Sequence, residues 1–411
     1  MKVIVIGAGA AGLMAAYELS RKGIGVTVLE SGQRIGGRIH TLVPPGFLNH
    51  VEAGAEFVHG ELPLTLQLAR KARLPLAEAS GNSYAYQNGR LRAVRQGKAW
   101  DEFYAALGSV RQDLSMREFL DRHFPNKKYE ALRQQVADMA QGLDLADVDR
   151  LSVKSIQAEW LSEQTQYRLV SGYGPLLEFI GKQSLEHCEL HLGVRARKVR
   201  WKKGAVEVLC DVGSFAADAV IVTVSLGVLQ QRQIQFDPPI ARFEELFSNI
   251  GFGSVIKFAL EFNDRFWEQK RPDIGFLFAQ GGLTFWTQRS IKSPVLTGWI
   301  GDAYVHETLS FSDDELIDQA LGALEVIFKK ASVRQMFRAG AVFRYTSDAV
   351  SAGGYSWRMP QSLPAIEEIN KGIAETVWFA GEAFCANEVG TVEAALRSGS
   401  EVVERLGEFK V

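Results

Sequence analysis

Residues 7–12, Gly7-Ala8-Gly9-Ala10-Ala11-Gly12, limit what this chain can fold into more than any other stretch. They follow an apolar, β-branched run at residues 2–6 and precede a helical pattern from about residue 11 to residue 22. Such a run reads as a parallel strand buried on both faces. Glycines between strand and helix allow a tight turn, close approach of backbone to pyrophosphate, and close packing of helix on strand. The helix N-terminus adds unpaired N–H groups and the positive end of a dipole. A second apolar run, residues 26–30, closes on Glu30, whose carboxylate can accept hydrogen bonds from both ribose hydroxyls. This βαβ opening predicts an α/β dinucleotide-binding domain and leaves FAD and NAD both open.

The next motif favours FAD. Gly36-Gly37-Arg38 lies just past the second strand. A second glycine pair lets more backbone amides reach a ligand, and Arg38 brings a fixed charge to phosphate or flavin. A simple nicotinamide dehydrogenase has no need of it. On these residues alone, an ordinary Gly-Gly turn with a surface arginine stands as the alternative.

At 411 residues the chain exceeds one simple core and predicts two domains. A net charge of −2 gives no footing for a nucleic-acid or membrane surface. The basic stretch 195–203 has Val199 and Trp201 interleaved and reads as a solvated strand edge. Cys188, Cys210 and Cys385 are too sparse for a disulfide framework and fit a reducing compartment. The opening strand leaves no room for a signal peptide, and no apolar run approaches the roughly 20 residues that span a bilayer. We therefore expect a soluble cytoplasmic protein.

Residues 81–163 are rich in Arg, Gln, Asp and Leu and read as a mostly helical insertion, with Ser115 and Glu118 as a capping box. Strand patterns follow in "VRARKVRW", "AVEVLC", "DAVIVTV", "SVIKFALEF", "IGFLFAQ", "LTFWTQ" and "VLTGWI". Ser312 and Glu315 cap the amphipathic helix of "LIDQALGALEVIFKKA". A Gly-rich loop at 352–354, a strand in "TVWFAGE" and a helix from about residue 391 to residue 406 complete the pattern.

With these residues in view, the chain resembles the flavin-containing amine oxidases. That family includes polyamine oxidases, monoamine oxidases, L-amino-acid oxidases and lysine-specific histone demethylases. The matched blocks are "VIVIGAGAAGL" with Glu30, "RIGGR", "EAGAEFVHG", "VSGYGPLLEFI", "LGVRARKVRW", "DAVIVTVSLGVL", "FDPPI", "IGFGSVIKFALEFNDRFW", "FAGEAF" and "GTVEAALRSG", in order along nearly the whole chain. The "EAGAEFVHG" block is closest to the polyamine-oxidase form.

The resemblance implies a Rossmann-like FAD-binding domain from residues 1–80, 165–225 and 350–411. It implies an α+β substrate domain, a mixed sheet flanked by helices, from 81–164 and 226–349. FAD would meet Gly7, Gly9, Ala10, Ala11, Gly12, Glu30, Ser31, Gly36, Gly37 and Arg38. Gly54, Ala55, Glu56 and Phe57 would run past the flavin ring with a backbone role, and Val194 would meet the adenine. Gly381 and Glu382 match the ribityl and phosphate region, and Gly390, Thr391 and Val392 the helix N-terminus at the flavin's pyrimidine edge. Lys257, in "GSVIK", matches the family lysine that holds a water against the reactive flavin nitrogen. Strand alternation sets it opposite Ile256 and Phe258. His59 matches a histidine that contacts substrate or is structural. Tyr355, Trp357 and Trp299 are candidate pocket walls.

The implied reaction moves a hydride equivalent from an amine-bearing carbon to flavin. The imine is then hydrolysed, and oxygen is reduced to hydrogen peroxide. Two departures matter. Tyr355 replaces the cysteine that tethers flavin in monoamine oxidases, so FAD is expected to be non-covalent. Thr391 replaces a cage tyrosine, which argues against a small arylalkylamine specialist. No metal site is expected: His187 and His191 read as structural, and Cys385 as a small buried hydrophobe. Related desaturases and porphyrinogen oxidases share the opening motifs, and "GSVIK" and "GAEFVHG" speak against them. A non-catalytic flavoprotein is the third reading.

Overall fold

In the computed structural model, which describes residues 1–95, 97–162, 164–329, 332–348 and 350–408, the opening motif folds as a βαβ unit. Lys2–Ile6 and Gly25–Glu30 are parallel strands joined by the helix Ala10–Arg21. The end of the "LIDQALGALEVIFKKA" helix, at 330–331, and residues 409–411 of the last segment expected for the FAD-binding domain lie outside the described residues.

Five parallel strands form the first sheet, in the order Cys188–Leu192, Gly25–Glu30, Lys2–Ile6, Ala219–Val222, Val377–Phe379. The apolar run of the opening strand follows from its central place. Val3 and Val5 face a core with Leu13, Leu176 and Leu396, contributed by the helices Ala10–Arg21, Gly174–Leu185 and Val392–Glu408. Ile4 and Ile6 face the opposite core with Val199, Val208, Val220 and Phe379.

That second core is closed by a four-stranded sheet, Gly213–Ala217, Ala205–Cys210, Ala196–Lys202, Gln235–Asp237. The basic stretch is thus an interior strand and not an edge. Its charges are neutralised from neighbouring strands and the turn between two of them: Arg197 meets Asp211 at 2.7 Å, Lys198 meets Asp237 at 2.8 Å and Arg200 meets Glu207 at 3.2 Å. Cross-strand carboxylates let a basic face lie inside a sheet, and the local sequence does not reveal them.

A seven-stranded sheet runs Phe337–Arg344, Val255–Phe262, Val295–Gly301, Leu283–Thr287, Ile274–Phe278, Asn82–Gln87, Arg90–Ala93. The helix Asp313–Phe328 covers one face through Leu316, Leu321 and Leu324. The insertion therefore opens on a hairpin where helix was expected. Asn88 and Gly89 both have positive φ, 51° and 71°, the two-residue turn that Asn-Gly favours. Polar strand residues masked that signal. Beyond it, the helices Lys98–Gly108, Met116–His123, Glu130–Gly142 and Val153–Trp160 pack around Phe103, Phe119 and Leu132 as a cap.

Both capping boxes form. Ser115 and Glu118 exchange backbone–side-chain bonds at 3.0 and 3.2 Å, and Ser312 and Glu315 at 2.7 and 3.2 Å. Among the described residues, no helix is long and apolar enough to cross a membrane.

Candidate active site

A cavity of about 1490 Å³ runs from the glycine turns of the parallel sheet to the helical cap. Its first half is made of backbone. Two of the opening glycines are demanded by the protein: a Cβ on Gly7 would lie 2.7 Å from Thr223 Oγ1, and one on Gly12 would lie 2.0 Å from the Gly7 carbonyl oxygen. Gly9 is different, since a Cβ there would meet nothing within 4 Å and would project into open space. Gly9, Ala10 and Ala11 line the cavity, and no side chain caps the helix that Gly9 precedes. Its first-turn N–H groups are thus left for an anion.

The second glycine pair lies against the first. Gly36 N donates to the Ala8 carbonyl at 2.8 Å, and Gly37 has φ 57°. Glu30 accepts from Ala8 N at 2.8 Å and Gly32 N at 2.7 Å, with Ser31 Oγ at 3.3 Å. Its carboxylate is therefore pre-oriented at the cavity wall. Val194 lines the same end, its N–H on the Glu30 carbonyl at 2.8 Å.

Arg38 joins the two chain ends. Its Nη1 donates to Glu382 Oε1 at 2.8 Å and to the Gly354 carbonyl at 2.7 Å, and Ser356 Oγ donates to Glu382 Oε2 at 2.5 Å. Gly381, Gly390, Thr391 and Val392 line the cavity beside them. Thr391 Oγ1 accepts from Ala394 N at 3.1 Å, so it caps the last helix. Glycine walls, an uncapped helix N-terminus and a poised carboxylate together fit FAD.

At the middle of the cavity stands Lys257, on the strand Val255–Phe262, which is buried along its whole length. Ile256, Phe258 and Leu260 fill the core beneath the sheet. Lys257 points the other way, 1% exposed. Its Nζ donates to Glu56 Oε2 at 2.7 Å and to the Gly54 carbonyl at 2.9 Å, and lies 5.4 Å from the centre of the Trp286 ring. Gly54 has to be glycine, because a Cβ would lie 1.8 Å from the Arg38 carbonyl oxygen.

Glu56 does more than lend backbone. Arg168 Nη2 approaches its other oxygen at 3.3 Å, and the guanidinium stacks 4.7 Å over Phe57. Burial pushes the Glu56 carboxyl up, but Lys257 and Arg168 more than offset it and hold it below the usual carboxylate range. Burial raises Glu52 as well, and there it wins: the carboxyl is pushed up to about 7 against the bonds from Thr41 Oγ1 and Tyr173 N.

The far half is aromatic and then acidic. Phe57, Phe276, Trp286, Trp299 and Tyr355 form a connected band, with centroid spacings of 5.6–6.2 Å between successive partners. Trp299 Nε1 donates to the Gly142 carbonyl at 2.7 Å and the Tyr355 hydroxyl to the Leu143 carbonyl, which ties the sheet to the cap. His59 stands exposed at the cavity wall, 6.1 Å from the Phe57 ring. Trp357 also reaches the wall but mainly fills the cap's core over Gly251. Beyond Tyr355 lie Asp144 and Glu159. Burial first, and then Glu159, raise the Asp144 carboxyl well above its ordinary range. A side-chain hydrogen bond from Trp160 opposes that rise, while Oδ2 has no partner within hydrogen-bond geometry among the described residues.

Arg168, Trp286, Asp144, Glu159 and the side-chain role of Glu56 escape the sequence reading. Arg168 sits in a short strand, Gln166–Leu169, and its burial, at 5% exposed, is visible only in the fold. Nothing local marks Asp144.

Residues 10–407 match the family described as flavin containing amine oxidoreductase. Polyamine oxidase 5 of Oryza sativa subsp. japonica is 28% identical across 98% of this chain and 87% of its own length. Lysine-specific histone demethylase 2 of Homo sapiens is 27% identical across 99% of this chain and 53% of its own. Cyclohexylamine oxidase from Brevibacterium oxydans IH-35A superimposes with a TM-score of 0.83 at 17% identity, covering 99% of both chains. A redesigned putrescine oxidase does so with a TM-score of 0.84 at 17% identity, over 100% of this chain and 99% of that one.

Proposed function

Because the chain belongs to the flavin-containing amine oxidoreductases, we propose that its cavity divides into a glycine-walled FAD half and an aromatic and acidic amine half that meet at Lys257. The protein is an FAD-dependent amine oxidase. Bound FAD supplies the two-electron acceptor, and oxygen is the final one. Residues 1–80, 165–225 and 350–411 carry the FAD half in this reading, and 81–164 and 226–349 the amine half.

The residues have separate tasks. Gly9, Ala10 and Ala11 offer backbone amides to the pyrophosphate, Glu30 accepts from ribose, and the Arg38–Glu382 pair fixes the wall between chain ends. Ser31, Gly36, Gly37, Ala55, Phe57, Val194, Gly381, Gly390, Thr391 and Val392 complete the FAD side. Tyr355 stands where a tethering cysteine would be needed, and none of Cys188, Cys210 and Cys385 is among the residues that line the cavity. FAD is then held without a covalent bond. Trp299 and Tyr355 restrict the amine to a slot and exclude water. Lys257 aims an N–H donor at water or oxygen in the cavity.

The observation that carries the substrate reading is the pair Asp144 and Glu159 beyond Tyr355, with a buried carboxylate oxygen left without a donor. A second cationic centre on the substrate satisfies it. The preferred amine is therefore a diamine or polyamine, in keeping with polyamine oxidases and putrescine oxidase among the similar proteins.

One preparation tests these points. Purified protein is yellow, acid releases free FAD, and anaerobic addition of a diamine bleaches the flavin at lower concentration than a monoamine of equal length. Flavin that stays on acid-precipitated protein defeats the non-covalent assignment. Equal response to both amines, or to both in an Asp144→Asn variant and wild type alike, defeats the acidic subsite.

A further inference from the structure

Lys257 is buried where an unpaired ammonium is costly, and the one carboxylate on its strand, Glu261, is engaged instead by Leu48 N at 2.7 Å and Asn49 Nδ2 at 2.5 Å. The counter-charge comes from elsewhere in the chain. Glu56 lies between two cations, with Lys257 Nζ at 2.7 Å on Oε2 and Arg168 Nη2 at 3.3 Å toward Oε1. Arg168 is anchored in turn by Nη1 on the Thr287 carbonyl at 2.9 Å.

We propose that Glu56 is the positioning residue for Lys257. Its carboxylate, fixed from the far side by Arg168, spends one Lys257 N–H while the Gly54 carbonyl spends a second, leaving the third for a small molecule in the cavity. An ammonium has three donors on a rotating tetrahedron. Two acceptors from one short segment, residues 54–56, stop that rotation. Against burial, Lys257 first and Arg168 second hold Glu56 below the usual carboxylate range, so Lys257 is paired with a fixed charge and not with a proton-sharing acid. Glu52, the other carboxyl near Lys257, is pushed up to about 7 by burial and is not a constant partner at neutral pH. The trio keeps one net positive charge beside the FAD half, and the strand Gln166–Leu169 thereby gains a role in chemistry that it does not touch.

The proposal rests on Lys257 acting beside FAD, and its test separates the two claims. Holoenzymes of wild type, Glu56→Gln, Lys257→Met and the double variant are compared in flavin reoxidation by oxygen, across pH. Glu56→Gln slows the Lys257-dependent step about tenfold or more, and in the Lys257→Met background adds less than about twofold. A second readout needs no turnover: acetic anhydride acetylates neutral amines, and peptide mass spectrometry follows Lys257 alone. Loss of the counter-charge moves its acetylation to lower pH in Glu56→Gln. If Glu56→Gln does not fold, Glu56→Gln/Arg168→Met retains the trio's net charge and gives the same readouts. Equal losses in both lysine backgrounds, or an unshifted acetylation profile, overturn the positioning role. Wild-type flavin that no amine bleaches would instead defeat the functional reading.

Discussion

Glu52 and Glu56 sit on one short stretch and behave oppositely, because a carboxyl answers to its neighbours and not to its sequence position. Glu56 is held ionised by two cations, whereas Glu52, with Oε2 unpartnered among the described residues, is pushed up to about 7. Between about pH 4.5 and about pH 7, the native state keeps a Glu52 proton that the unfolded chain has lost, so stability falls as pH rises through that window. The loss above pH 7 amounts to about 3 kcal/mol. Glu52→Gln keeps the shape and an acceptor for Thr41 and Tyr173. It should match wild type near pH 4 and exceed it by up to about 3 kcal/mol above pH 7 in urea unfolding. A difference that does not change with pH would refute this. At the same scale, Lys257→Met should retain FAD and slow one flavin half-reaction, and unchanged rates in both half-reactions would remove Lys257 from the mechanism. The glycines and Glu30 were legible in the sequence because their roles follow from local geometry. Arg168 and Asp144 were not, because what matters about them is a partner far away in the chain.

Elements announce themselves when the signal lies within them. The capping boxes at Ser115 and Ser312 are local, and both formed as read. The Asn88-Gly89 hairpin is equally local but sits between polar strands, whose Gln and Arg suit a helix as well as a strand on composition alone. Caps built between elements have no such signature. The helix Pro63–Lys71 starts without a cap from its own side chains. Glu393, on the last helix and fully buried, accepts from Leu64 N at 3.0 Å, Thr65 N at 2.7 Å and Thr65 Oγ1 at 2.8 Å. The two kinds of cap should differ in cost. Ser312→Ala removes an exposed cap worth about 1 kcal/mol. Glu393→Ala leaves buried donors unpaired and should cost about 3 kcal/mol, with greater proteolysis of residues 59–71. Equal costs in urea unfolding would show that the long-range cap is incidental.

At the scale of the molecule, the sequence order hides how the parts meet. The parallel sheet takes its five strands from three separated segments, and Arg38 reaches Glu382 across almost the whole chain. The family resemblance pointed to both ends; the direct Arg38–Glu382 pair follows only from the fold. A ligand bound across that seam should stabilise the whole protein. FAD at about 100 times its dissociation constant adds about 2.7 kcal/mol, so FAD removal should lower the melting temperature and re-addition restore it. Arg38→Ala leaves Glu382, 5% exposed, without its cation. It should weaken FAD binding at least tenfold and cost the FAD-free protein about 2 kcal/mol, read by fluorescence titration and urea unfolding. Tight FAD binding by Arg38→Ala would remove the pair from the site.

The strand Val377–Phe379 completes the sheet beside Ala219–Val222, and the helix after it covers the opening βαβ unit. During synthesis, the nascent chain must therefore extend through residues 377–406 before the cofactor can be loaded. Until then Ala219–Val222, apolar on both faces, is a bare sheet edge on the ribosome. A chain stopped short of residue 377 would carry that edge permanently, the kind of surface on which chains self-associate and which quality-control proteases clear.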